Sequence, residues 1–470
     1  MGADLTDFRQ LFFLSAFLLL GVAAPVAVLI SYDSNFEVNH LLAFAMTSIS
    51  AFFLSKNLAQ PNYLMNDFVL WVFVYIWMGL APLVQLNLGT YPTTTPNPPL
   101  DQVPYSYFII AVGLAGYLMS KKFLGSKQRE KSKQPTGEPT FPLQKQNSFL
   151  LWVCSTVAFL LYVQIVGWQT IFTFRIERAT YLSSFVEDSF TREFLYSICW
   201  TFSLIAATSK LSEMSGRSNF RDWLQAFTFA LPSLVIANPI STGRYIFGCV
   251  YGALLLQAFA SFTRLSPRTL KIGLIGGLVT IFPALNFFRS ASSAASNPVS
   301  LEYLTTGDFD AFAQVLNALD LVWEKGEIFS TQFLGPLGFF IPRSIWPDKP
   351  LDTGRVIGNF QGYSFTNLSA PLWAEALISF SFVGVFIVFL LLGIYSFRSD
   401  LTLNNERGLV PGGSYFPLAL YLLIVLRGSL LQATAALVFL LLASGLAKLV
   451  SGNPEIVRSK KAAGRNFRFR

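Results

Sequence analysis

The sequence predicts an all-α, polytopic membrane protein of about twelve transmembrane helices with one large extracytoplasmic loop containing short helices. Three observations carry this. The chain is 53% hydrophobic and only 13% charged, with a mean hydropathy of +0.50 over 470 residues, whereas soluble domains carry about a quarter charged residues. Apolar runs of helical length recur along the chain, separated by polar connectors. Lys and Arg gather in alternate connectors and in the C-terminal tail, as cytoplasmic loops require. That placement turns the net charge of +8 away from nucleic acid and toward membrane topology.

The elements follow in order. Residues 11–30 are read as a retained first helix, because Asp4 and Asp7 precede only one base, Arg9, and a cleaved signal wants a positive start. Further spans are expected over 39–55, 63–86 and 105–120, with the Thr- and Pro-rich connector 87–104 as an outer loop. Residues 121–146, rich in Lys, Pro, Gly and Gln, predict a mobile cytoplasmic loop. After a span at 149–167, residues 168–191 mix aromatics with charges like a helix lying in the interface. Spans at 194–209, 223–239, 245–262 and 272–288 follow, the middle two joined by the tight turn 238–244. The chain then divides into helices over 1–288, a large polar island over 289–371, three more spans within 372–450 (372–397, 415–426 and 430–450), and a basic tail over 451–470.

Charge sets the sidedness. With the N-terminus inside, 24 of the 34 Lys and Arg lie in inner segments, and 16 of the 26 acids lie outside. Both termini are expected in the cytoplasm and the island outside. Cys154, Cys199 and Cys249 all fall in apolar spans without ligand spacing and read as small hydrophobic residues. The lone histidine, His40, excludes a multi-histidine metal site and reads as an interfacial residue.

The candidate chemistry sits at the outer end. Arg244 lies in the 238–244 turn, Arg289 ends the ninth span, Arg343 follows the apolar piece 333–341, and Arg427 closes the eleventh span. Snorkelling, or ion pairs with Glu302, Asp308, Asp310 or Glu375, would account for any one of them. Four on one face point to a shared anionic ligand, for which the guanidinium fork is suited. The piece 333–341 is too short to span and reads as a re-entrant or interfacial segment. Trp346 is a candidate sugar platform, with an interfacial anchor as the commoner use of such a residue. Asp348, Lys349 and Asp352 fit a solvated turn between prolines. Glu375 enters a span, where a carboxylate needs a reason: pairing with an arginine is expected, and general-base chemistry is the alternative. Residues 308–327 read as an amphipathic helix whose acids form its wet face.

The run Ile341-Pro342-Arg343-Ser344-Ile345-Trp346-Pro347-Asp348-Lys349-Pro350, with Thr353-Gly354 and Asn367 to Glu375, resembles the signature of the Wzy-type O-antigen and exopolysaccharide polymerases. The turn 238–244, the Arg427-Gly428 pair and the late outer loop fit more loosely. The resemblance implies a metal-independent, GT-C-like membrane glycosyltransferase with no cofactor, at the outer face of a bacterial cytoplasmic membrane. Such enzymes move a glycan from one undecaprenyl pyrophosphate carrier onto the repeat unit of another. It further implies that Arg343, Arg244, Arg289 and Arg427 hold the pyrophosphate, that Trp346 meets sugar, and that Arg343, Asp348 and Glu375 are the catalytic candidates. Implied partners are the carrier-linked oligosaccharides, membrane lipids, and flippase and chain-length regulator proteins, with no nucleic acid. Related O-antigen ligases typically carry a functional histidine in this loop, and none is present here. A lipid-linked oligosaccharide flippase would call for internal repeats and polar groups near mid-membrane, which the sequence does not display. A scaffold without chemistry explains the topology but not the arginines.

Overall fold

The computed structural model describes residues 2–31, 36–131, 148–183, 189–214, 218–263, 265–288, 300–326, 331–404 and 411–449. Among them the regular structure is entirely helical. The first rod joins α1 (Gly2–Phe17) and α2 (Ala24–Ile30) through a π-helical turn, and α3 spans Val38–Ala59. A second rod joins α4 (Met65–Phe73) and α5 (Ala81–Leu88) through π-helical Val74–Leu80. In both rods a proline, Pro25 or Pro82, is the second residue after the widened turn. Proline lacks an N–H and crowds the carbonyl four residues back. A π turn absorbs that mismatch without breaking the rod.

The chain continues through α6 (Val103–Lys131), α7 (Ser148–Val166), two short helices α8 (Trp168–Ile171) and α9 (Arg175–Ser183), and α10 (Ser189–Glu213). Then come α11 (Phe220–Ile236), α12 (Arg244–Phe262) and α13 (Pro267–Ala284). The island contributes α14 (Ala311–Lys325), α15 (Thr331–Leu337) and α16 (Thr353–Phe360), before α17 (Leu372–Asn404), α18 (Tyr415–Arg427) and α19 (Leu430–Leu449) close the fold. Among the described residues, ten helices are long and apolar enough to cross a membrane, which makes this a multi-pass membrane protein by length and composition. Two of the twelve expected spans, α11 and α18, are shorter, with 17 and 13 residues.

Two expectations change. The lysine-rich stretch after residue 120 is not a loop throughout, since α6 carries helix on to Lys131; residues 132–147 lie outside the described ones. The basic tail 451–470 lies outside them as well. The helix expected over 308–327 has no simple wet face. Residues 311–319 are all buried, Gln314 and Asn317 included, and Asp310 at its start is only 2% exposed. The island folds back into the bundle, so α14 is covered by α6, α16 and α17.

Helix α17 packs most closely on α6. The close approach rests on small residues: a Cβ on Gly116 would fall 2.4 Å from the Phe386 carbonyl, and one on Gly393 would fall 2.0 Å from Ser120 Oγ. Small residues let membrane helices approach backbone to backbone. α17 is also broken. Ser381 has φ 59° and ψ −166°, a conformation costly for a residue with a Cβ. Gly384 permits the bend, because a Cβ there would sit 2.1 Å from Phe380 Cβ. Phe380 in turn meets Phe333 of α15 edge to face at 4.8 Å.

Valine at Gly393 is expected to destabilise the protein by about 1–3 kcal/mol through overpacking, lowering the thermal unfolding temperature in detergent. Alanine at Gly445, whose Cβ would meet nothing within 4 Å, should leave it unchanged.

Candidate functional site

At the island end of the bundle, the short turn Gly307–Phe309 and Asp310 lie among the ends of α4–α5, α12 and α18. The backbone carbonyls of this turn face inward and need donors. Arg427 supplies two, from Nε to the Asp308 carbonyl at 3.1 Å and from Nη2 to the Gly307 carbonyl at 3.0 Å. Trp77 Nε1 donates to the Asp308 carbonyl at 2.8 Å, as does the Tyr245 hydroxyl at 3.3 Å. Gln85 Nε2 donates to the Leu304 and Phe309 carbonyls at 2.8 and 3.0 Å.

The side chains of the turn complete two ion pairs. Arg244 pairs with Asp308, donates to the Tyr303 hydroxyl at 2.9 Å, and lies 4.9 Å from the Phe282 ring centroid. Arg427 pairs with Asp310 at 3.0 Å and lies 4.8 Å from the Tyr245 ring centroid. The Ser369 hydroxyl donates to Asp310 at 2.7 Å. Burial pushes the Asp310 carboxyl up, with Arg427 and Ser369 opposing, and pushes the Tyr303 phenol up to about 12. The structure thus brings Arg244 and Arg427 together, each already matched by a carboxylate.

Arg343 is placed differently. It is exposed, and its guanidinium donates to the Lys349 and Pro350 carbonyls at 2.5 and 2.9 Å. Lys349 closes the same loop from the other direction, donating to the Phe339 and Ile341 carbonyls at 3.0 and 2.9 Å. Its ammonium is pushed down by burial and by the neighbouring Arg343. Among the described residues, no carboxylate lies within ion-pair distance of Arg343. Trp346 is half-buried against α15 and the turn after it, so close that a Cβ on Gly338 would fall 2.6 Å from its ring. Asp348 is exposed. Arg289 lies outside the described residues.

Glu375 departs from expectation, because among the described residues no arginine pairs with it. It is 3% exposed and accepts from the Thr353 hydroxyl at 2.7 Å, the Ser429 hydroxyl at 3.1 Å and the Leu430 N–H at 2.7 Å. The break between α18 and α19 leaves the N–H groups of α19's first turn unpaired. The Glu375 carboxylate satisfies that of Leu430 and suits the positive end of the helix. Asp352 does the same for α16, accepting the Arg355 N–H at 3.1 Å.

Two further features were missed from the sequence. Arg178 of α9 is 8% exposed, donating to Ser241 at 3.1 Å and to the Tyr162 hydroxyl, with its Nε unsatisfied. Its interfacial helix gave no sign that it would be buried while the neighbouring Glu177 is exposed. The second is an apolar cavity of about 310 Å³ between α4, α12, α13 and α18, opened by Gly248, Gly273 and Gly277 and ending at Arg244 and Tyr245. Glycines at these positions leave no side chain to fill the space.

These features define a class: a multi-pass helical membrane protein with a guanidinium-rich polar end and an apolar cavity leading to it. Comparison with family models, curated proteins and solved structures finds no match.

Removing Arg427 strands Asp310, and breaking such a buried pair costs about 3–5 kcal/mol. Arg427→Ala and Asp310→Ala are each expected to lower stability, and the double variant to lose less than the sum. Strict additivity in detergent unfolding would show that the pair does not couple.

Proposed function

We propose that the protein polymerises carrier-linked oligosaccharide repeat units at the outer face of a bacterial cytoplasmic membrane, transferring a glycan from undecaprenyl pyrophosphate to a second carrier-linked unit. The observation that carries the reading is Arg343: an exposed guanidinium held by two backbone carbonyls, without a carboxylate partner among the described residues. A fixed, uncompensated positive charge suits a diphosphate. The apolar cavity below Arg244 gives a polyprenyl tail a place between helices.

In this mechanism an acceptor hydroxyl attacks the anomeric carbon of the donor glycan. A new glycosidic bond forms as the bond from that carbon to the pyrophosphate oxygen breaks. The electron pair leaves with the diphosphate, whose growing negative charge Arg343 stabilises. The hydroxyl proton passes to a carboxylate. Exposed Asp348 has room to meet a substrate, whereas Glu375 already accepts three hydrogen bonds and positions Thr353 and the α18–α19 break. Trp346, half-buried, is placed to meet a sugar. Arg244 and Arg427 hold the floor of the site through their ion pairs.

The test follows glycan on its carrier in cells whose sole copy is Arg343→Ala or Arg343→Lys. Loss of a fixed donor to the developing charge is expected to cost about 100- to 1,000-fold in rate, leaving single repeat units still carrier-linked at the outer face. Lysine restores charge but not the planar fork, so partial activity is expected. Unchanged polymer in both variants would sink the role of Arg343. Units stranded on the inner side after gene deletion would favour a flippase instead.

A further inference from the structure

At the end of the bundle opposite the island, a second cavity of about 420 Å³ opens between α3, α4, α6 and α17. Its floor is polar and its charge is already balanced. Asp67 accepts from Lys121 Nζ at 2.6 Å, Asn57 Nδ2 and Trp71 Nε1 at 3.0 Å, and the Tyr117 hydroxyl at 3.1 Å. Asp400 accepts from Asn66 Nδ2 at 2.8 Å, the Tyr415 hydroxyl at 2.7 Å and the backbone N–H groups of Asn66 and Asp67 at 3.3 and 3.2 Å. Lys271, fully buried, donates to the Asn57 carbonyl and side-chain oxygen at 2.9 and 2.8 Å. Two carboxylates therefore share one network with two ammonium groups.

Two lysines are left over. Lys56 and Lys122 line the same cavity, are exposed, and have no carboxylate within ion-pair distance among the described residues. The cavity therefore carries a surplus of two positive charges above a neutral, hydrogen-bonding floor. Its volume falls within the range of ligand pockets, roughly 300–1,000 Å³. An apolar ligand would strand the lysines and the Gln60 amide. A cation would be repelled at the mouth.

We propose that this cavity is a binding site for a phosphate-bearing polar group, with the phosphate between Lys56 and Lys122 and the attached hydroxyl-bearing part reaching Gln60. Lysine serves here as a mobile point charge toward phosphate. The group can come from an anionic lipid headgroup at the membrane surface or from a soluble phosphate ester, and the chemistry is the same. This site is independent of the outer one and stands whether or not the polymerase reading does.

The experiment labels the full-length protein with an amine-reactive reagent and reads Lys56 and Lys122 by peptide mass spectrometry. One arm compares nanodiscs of phosphatidylcholine with nanodiscs containing phosphatidylglycerol. The other adds glycerol 3-phosphate to protein in phosphatidylcholine. Selective protection of both lysines, relative to exposed Lys448 near the same end, is expected in one arm, and the arm identifies the source. In the Lys56→Gln/Lys122→Gln variant, affinity for the protecting compound should drop by about tenfold or more, as loss of charge-assisted contacts predicts. Both side chains are exposed, so folding should be unaffected, with thermal unfolding as the check. No protection in either arm, protection equal to that of Lys448, or full binding by the double variant would overturn the proposal.

Discussion

The island end depends on one turn and the two arginines that grip it. Gly307–Asp310 presents three inward carbonyls and two carboxylates, and Arg244 and Arg427 answer most of them. Neither guanidinium would be tolerable at this depth alone, since an unpaired buried charge costs several kcal/mol. Neither would the turn, whose carbonyls have lost water. Each side removes the other's penalty. The result ties the start of α12 and the end of α18 to a single loop, and α14 is seated in the bundle because the residue before it is Asp310.

That compensation divides the arginines by chemistry. Arg244 and Arg427 are neutralised locally and serve the scaffold. Arg343 is held only by dipoles, the carbonyls of Lys349 and Pro350, which orient a charge without cancelling it. Its loop is closed by its own lysine and braced by α15, where Gln332 donates to the Leu351 carbonyl. Ion pairs hold Arg244 and Arg427, and backbone carbonyls hold Arg343.

Much of the fold could be read from the sequence because membrane burial forces long apolar helices, and the ends of α7, α12, α18 and α19 lie within two residues of expectation. The π turns before Pro25 and Pro82, the helical continuation of α6 and the break at Ser381 could not, because each answers a local clash or a packing contact rather than a composition. In the site, the arginines announced themselves by their cost, and the Asp308 and Asp310 partners were among those weighed. The burial of α14 was hidden, since an amphipathic pattern cannot tell a wet face from one lined by Gln314 and Asn317. Glu375 misled for a related reason. A buried acid suggests a cation, but a helix N-terminus and two hydroxyls satisfy it as well, and only their convergence in space reveals that.

Helix α17 bears Glu375 at one polar end and Asp400 at the other, with the irregular residue Ser381 between them. An unbroken rod would pass any change of tilt from one membrane surface straight to the other. The bend at Ser381 lets each half take the inclination its own neighbours impose. The Glu375 half answers to α14 and α15, and the Asp400 half to α4 and α6. Along α17 itself a tilt at one end is not carried straight to the other; the ends stay linked through the α4–α5 rod, which bears Asp67 and Trp77, and through α18, which bears Tyr415 and Arg427.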